Sequence, residues 1–161
     1  MKKLLLPLIL LTQMTTALIA QPPSDELSVH NDKNAVGESE LKIKAVKDFK
    51  KRFNEADNAT WSRDQDHLRA RFTREDIKHM VDYDLKGRWV STILVYDKDH
   101  LNSDMQKLVK SNYFDYTIVK VIEVTIRNSH VHFIKLENKT SLLTLHITNG
   151  EVTEIENYTK M

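Results

Sequence analysis

Two histidines one residue apart, His130 and His132, come nearest in this sequence to a chemical device. On a strand, residues i and i+2 point to the same side, so both imidazoles can approach one metal ion. Two ligands do not make a site. His146 is the nearest further histidine in the sequence. With Glu137 set opposite Leu142, His146 faces away from His132, so edge or surface histidines are the plainer reading. Nucleophilic hydrolysis has less support still. The chain has no Gly-x-Ser-x-Gly elbow, no His-Glu-x-x-His helix and no glycine-rich phosphate loop. It has no cysteine, which removes thiol catalysis and thiolate metal sites. The sequence therefore reads as that of a non-enzyme.

Oxygen ligands gather elsewhere. Asp97, Asp99, Asn102 and Asp104 surround a predicted strand-to-helix turn, and calcium takes such oxygen-rich loops. The spacing is not that of an EF-hand, and a solvated turn plus a helix cap accounts for the same residues. No cofactor is expected from the sequence, and calcium is the candidate that these residues leave open. For a binding role the candidates are Arg69, Arg71 and Tyr96. Leu68, Ala70 and Phe72 alternate with the two arginines, so the guanidinium groups fall on the face of a strand that the core does not use. Guanidinium groups there can pair with carboxylates or stack on aromatic rings.

The elements that must position these groups follow an export signal. Lys2 and Lys3, then an apolar run, then small residues up to Ala20 have signal-peptide order. Residues 1–20 are read as the signal, 21–39 as a polar tether and 40–161 as the folded domain. The 161-residue chain carries a net charge of +1 and 29% charged residues. That balance is globular and lacks the basic excess of a nucleic-acid binder. Residues 41–54 predict a helix with Ala45, Val46, Phe49 and Phe53 on one stripe. Strands are predicted over 59–63, 68–72, 77–83 and 89–96. A second helix starts at Asn102 or Ser103, and four more strands follow over 117–127, 130–137, 142–148 and 151–158. Asn149-Gly150 is the strongest hairpin signal. A two-residue loop there pairs Leu145 with Glu154. A three-residue loop would bring in Ile155 instead, and a bulge is expected nearby.

Several segments resemble the PepSY-like, beta-lactamase-inhibitor-like secreted proteins of Gram-negative bacteria. They are Phe49-Lys50-Lys51-Arg52-Phe53-Asn54-Glu55-Ala56, Ala59-Thr60-Trp61, Leu68-Arg69-Ala70-Arg71-Phe72 and Tyr83-Asp84-Leu85-Lys86-Gly87-Arg88-Trp89. Asn54 stands where the family usually has proline, and Leu68 where it has an aromatic. The resemblance implies a fold and no catalytic residue. The expectation is an α+β domain of two tandem helix-plus-antiparallel-strand units, with the helices on one sheet face. The expected role is that of a secreted, periplasmic, non-catalytic binding module for a protein or envelope component. No nucleic acid and no membrane span in the mature chain are expected. A structural or calcium-responsive periplasmic protein is the alternative.

Overall fold

The computed structural model describes residues 42–161. The signal and tether predicted over 1–39 lie outside the described residues. Helix α1 (Ile43–Arg52) opens the fold and strands β1 (Thr60–Arg63), β2 (His67–Arg74), β3 (Ile77–Asp84) and β4 (Trp89–Tyr96) follow. A single 3-10 turn (Lys98–His100) leads into α2 (Ser103–Asn112). Strands β5 (Thr117–Ile126), β6 (Ser129–Glu137), β7 (Ser141–Thr148) and β8 (Glu151–Thr159) complete the chain. All eight strands form one antiparallel sheet in the order of the sequence.

This corrects the two-unit expectation. The last strand of the first half pairs directly with the first strand of the second, from Ser91 opposite Ile126 to Tyr96 opposite Val121. The backbone ladder therefore has no break between halves. Among the described residues strand dominates, and the α-helices are two ten-residue segments. Each lies on the sheet where the chain has apolar residues to bury. Packing also crosses the seam: Ile77, Leu94 and Tyr96 of the first half join the core made by the second. The similar order of elements reflects one meander with α2 inserted in it.

Both helices use the same sheet face. Ala45 and Phe49 of α1 meet Leu68, Ala70, Phe72, Val81 and Tyr83. Val109 of α2 meets Val121, Ile134, Leu136, Leu145 and Ile147, with Met105 and Leu108 alongside. The helix entries differ. Asn102 Oδ1 accepts a hydrogen bond from the Met105 N–H at 2.8 Å, an ordinary N-cap. At α1, Lys42 supplies no side-chain cap. This helix is held by its aromatic face and by Asp48, which accepts a hydrogen bond from the Tyr83 hydroxyl at 3.1 Å.

Turn chemistry sets the register. Glu75-Asp76 and Asn149-Gly150 both place two successive residues at positive φ (51° and 61°, 50° and 81°), the twist that a two-residue hairpin needs. Leu145 lies opposite Glu154, as the two-residue loop requires, and a bulge follows between Thr144 and Leu145. Ile155 falls out of the pairing there and is half exposed.

His79 lies on the helix face, stacked on Phe72 with ring centroids 4.4 Å apart. Its Nδ1 is buried without a hydrogen-bond partner. Burial first, and the charge of Arg74 second, hold its imidazole below the usual 6.5. The unfolded chain therefore takes up this proton more readily than the folded one. The stability that neutral His79 contributes is present above pH 6.5 and is lost as pH falls through the depressed folded value. His79→Phe keeps the ring stack and removes the unpartnered atom. It should raise stability by about 1 kcal/mol at pH 8, and by more at pH 5. Urea unfolding of both proteins at the two pH values measures this; an unchanged difference between them would count against the assignment.

Candidate functional site

Sheet register divides the predicted site residues between two faces. Arg69 and Arg71 do lie on the face that neither α1 nor α2 packs against. Both are engaged within the protein. Arg69 grips Asp82 across the β2–β3 pair, Nε to Oδ1 at 2.6 Å and an Nη2 donor to Oδ2 at 3.0 Å. Arg71 donates to the Ser62 hydroxyl at 2.8 Å. Tyr96 does not join them. It is on the helix face, buried, and its hydroxyl donates to Glu123 Oε2 at 2.6 Å. Burial first, and Glu123 second, push this phenol well above its ordinary range.

The four oxygen residues form a turn. Asp97 Oδ1 accepts from the Asp99 N–H at 3.0 Å, and Asn102 caps α2. Asp104 stands in the first turn of α2, where a negative charge suits the helix dipole, and meets Lys107 at 3.4 Å. The helix-cap reading of Asn102 therefore holds.

The helix face carries a different cluster. The β5–β6 hairpin turns at residues 127–128, which sets Glu123 opposite His132 and Thr125 opposite His130. All four side chains point to the helix side. Further from this turn, Val121 and Ile134 are fully buried in the core that includes Val109 of α2. Toward the turn the same face opens. Side-chain exposure is 11% at His132, 19% at Glu123 and 52% at His130. His130 Nε2 lies 3.0 Å from Glu123 Oε1, and His132 Nε2 lies 3.6 Å from Glu123 Oε2. The two imidazoles stack, with centroids 4.9 Å apart and planes 18° from parallel. Burial pushes the His132 imidazole below its ordinary value against the opposing pull of Glu123, and His130 adds to the lowering.

The shared side of His130 and His132 was legible from their spacing. The opposite side of His146 was legible too: it lies opposite Phe133, on the helix-free face. Glu123 was not seen. Setting the turn one residue later, at 128–129, places Glu123 diagonal to His132 instead of opposite it. Even that register keeps it on the histidine face, so the carboxylate on the neighbouring strand was the available signal.

The face opposite α1 and α2, helix-free among the described residues, has its own pattern. Across β3 to β6 run Met80, Ile93, Val124 and Val131, each opposite the next. The adjoining row holds Lys78, Val95, Ile122 and Phe133. These apolar side chains are mostly half-buried, and Ile126 beside them is 48% exposed. Arg71, Lys78, Lys120 and Lys135 stand around the patch.

No family model and no curated protein matches the chain. Solved structures do. A DUF2874 family protein from Bacteroides ovatus superposes with a TM-score of 0.58 at 20% identity, covering 74% of this chain and 87% of its own. A BLIP-like protein from Bacteroides fragilis gives 0.59 at 15% identity, covering 74% and 86%. A second DUF2874 family protein, from Bacteroides uniformis, gives 0.57 at 15%, covering 74% and 89%. The chain thus has a BLIP-like fold.

Proposed function

We propose that this chain is a secreted, periplasmic, non-catalytic binding module of the PepSY-like group. It takes a protein partner on the helix-free sheet face. The observation that carries the reading is the apolar patch of Met80, Ile93, Ile122, Val124, Val131 and Phe133, on the face where neither helix packs. Apolar centres with polar rims are the usual anatomy of a protein interface. The rim here is basic, through Lys78 and Lys120. Its complement is a protein surface apolar at the centre and acidic at the edge. Export rests on the basic, apolar and small-residue order of residues 1–20. The motifs around Phe49, Trp61 and Gly87 support the family. A BLIP-like neighbour supports protein binding in kind, without naming the partner. Among the described residues no helix is long and apolar enough to cross a membrane.

The test uses a partner cross-linked to the protein in periplasmic extract, then purified and titrated. Met80→Glu with Ile126→Glu should weaken binding at least about tenfold. Phe114→Glu, at a residue 81% exposed outside the patch, should leave affinity unchanged. Circular dichroism confirms that each variant is folded. Equal affinity for all three proteins would remove the helix-free face from the reading.

A further inference from the structure

We propose that Glu123, His130 and His132 form a binding site for a single zinc-type divalent transition-metal ion. Their ligand atoms lie within 4.8 Å of one another. Zinc bonds nitrogen and carboxylate oxygen at about 2.0–2.2 Å, which at tetrahedral angles separates neighbouring ligand atoms by about 3.4 Å. The two histidine-to-carboxylate distances, 3.0 and 3.6 Å, straddle that value. Closing the remaining gap between the imidazoles takes a shift of about 1 Å, within the reach of a side-chain torsion at half-exposed His130.

Ligand chemistry selects the ion. Two imidazoles and one carboxylate suit zinc and its transition-metal neighbours, whereas calcium and magnesium require oxygen shells. The three protein ligands leave one tetrahedral position on the exposed side, where water can complete the shell. Support comes from two directions. Adjacent strands of a continuous ladder fix the Cα positions of Glu123 and His132. The buried Tyr96 hydroxyl holds Glu123 Oε2 at 2.6 Å and so orients the carboxylate. Tyr96 is a positioning residue in this arrangement and touches no ion. The site lies on the face opposite the proposed partner surface, so the two readings fail separately.

The experiment titrates Zn²⁺ and Co²⁺ into the full chain, stripped with chelator and carrying a tag without histidine. Calorimetry should give one ion per chain, and Co²⁺ should develop the visible absorption of a tetrahedral site. Zinc should also raise the melting temperature, because an ion that binds only the folded state stabilises it. Mg²⁺ and Ca²⁺ should do neither. His130→Ala and Glu123→Gln should abolish saturable binding while keeping the circular dichroism of the wild type. Tyr96→Phe should weaken binding by about tenfold without changing the stoichiometry. Unchanged zinc affinity in His130→Ala would place the ion elsewhere and overturn the proposal. So would a folded wild type that binds no zinc saturably, which would leave the cluster as a histidine–carboxylate contact.

Discussion

Gly87→Val is expected to cost about 3 kcal/mol or more, several times what Gly150→Ala costs. Both glycines sit at positive φ, 71° and 81°, in hairpin turns. Only one is enclosed. A Cβ at Gly87 would lie 2.9 Å from the Ala45 nitrogen and 3.1 Å from the Lys44 Cβ, whereas nothing stands within 4 Å of one at Gly150. The β3–β4 turn is thus the seat on which the first turn of α1 rests. Valine there strains the backbone and pushes α1 off the sheet. That displacement separates Asp48 from the Tyr83 hydroxyl and exposes Phe49. Gly150→Ala meets only the backbone penalty, about 1 kcal/mol. Melting curves of the two variants give the comparison. Equal losses would mean that α1 does not depend on the turn beneath it.

Arg69→Ala is the second large effect. The Asp82 side chain is 8% exposed, and its carboxylate is held by Arg69 with one further hydrogen bond, from the Ser91 hydroxyl at 3.1 Å. Removing the guanidinium leaves a buried anion short of partners. A fully buried pair broken this way costs about 3–5 kcal/mol. Arg69 is 34% exposed, so solvent screening reduces the expected loss to about 2 kcal/mol. Arg69→Ala combined with Asp82→Ala should lose less than the two single losses summed, because no charge is stranded. Denaturant unfolding of the four proteins measures the coupling, and strict additivity would contradict it. The pair also governs how the helix-free face is probed. A loss of binding in Arg69→Ala would mix stability with contact, which is why Met80 and Ile126 are the better probes.

Much of the strand layout is readable from local pattern. The Arg69/Arg71 alternation gives the correct face because Leu68, Ala70 and Phe72 leave no ambiguity of period. Asn149-Gly150 gives the register of Leu145 because a two-residue turn fixes the pairing beside it. The seam between β4 and β5 is different. Twenty residues containing α2 separate these strands, and a strand's own sequence does not name a distant partner. A chain with two similar halves therefore reads as two units. The face that Tyr96 takes is hidden from the sequence for a related reason. The run from Trp89 to Tyr96 has apolar residues on both faces, so alternation cannot choose one. The register shift opposite Asp82 and Tyr83 also breaks any count carried over from β3. Glu123 was missed because a ligand set spread over two strands becomes visible only when their register is fixed.

On the proposed metal site the helix face serves as more than core: beyond Val121 and Ile134 it presents a ligand set. The most direct measurement is X-ray diffraction from zinc-soaked crystals of the chain, collected on both sides of the zinc absorption edge. One anomalous peak is expected, at about 2.0–2.2 Å from Nε2 of His130, Nε2 of His132 and a carboxylate oxygen of Glu123. Strong peaks elsewhere with none between these three side chains, at zinc concentrations that saturate the protein in solution, would contradict it.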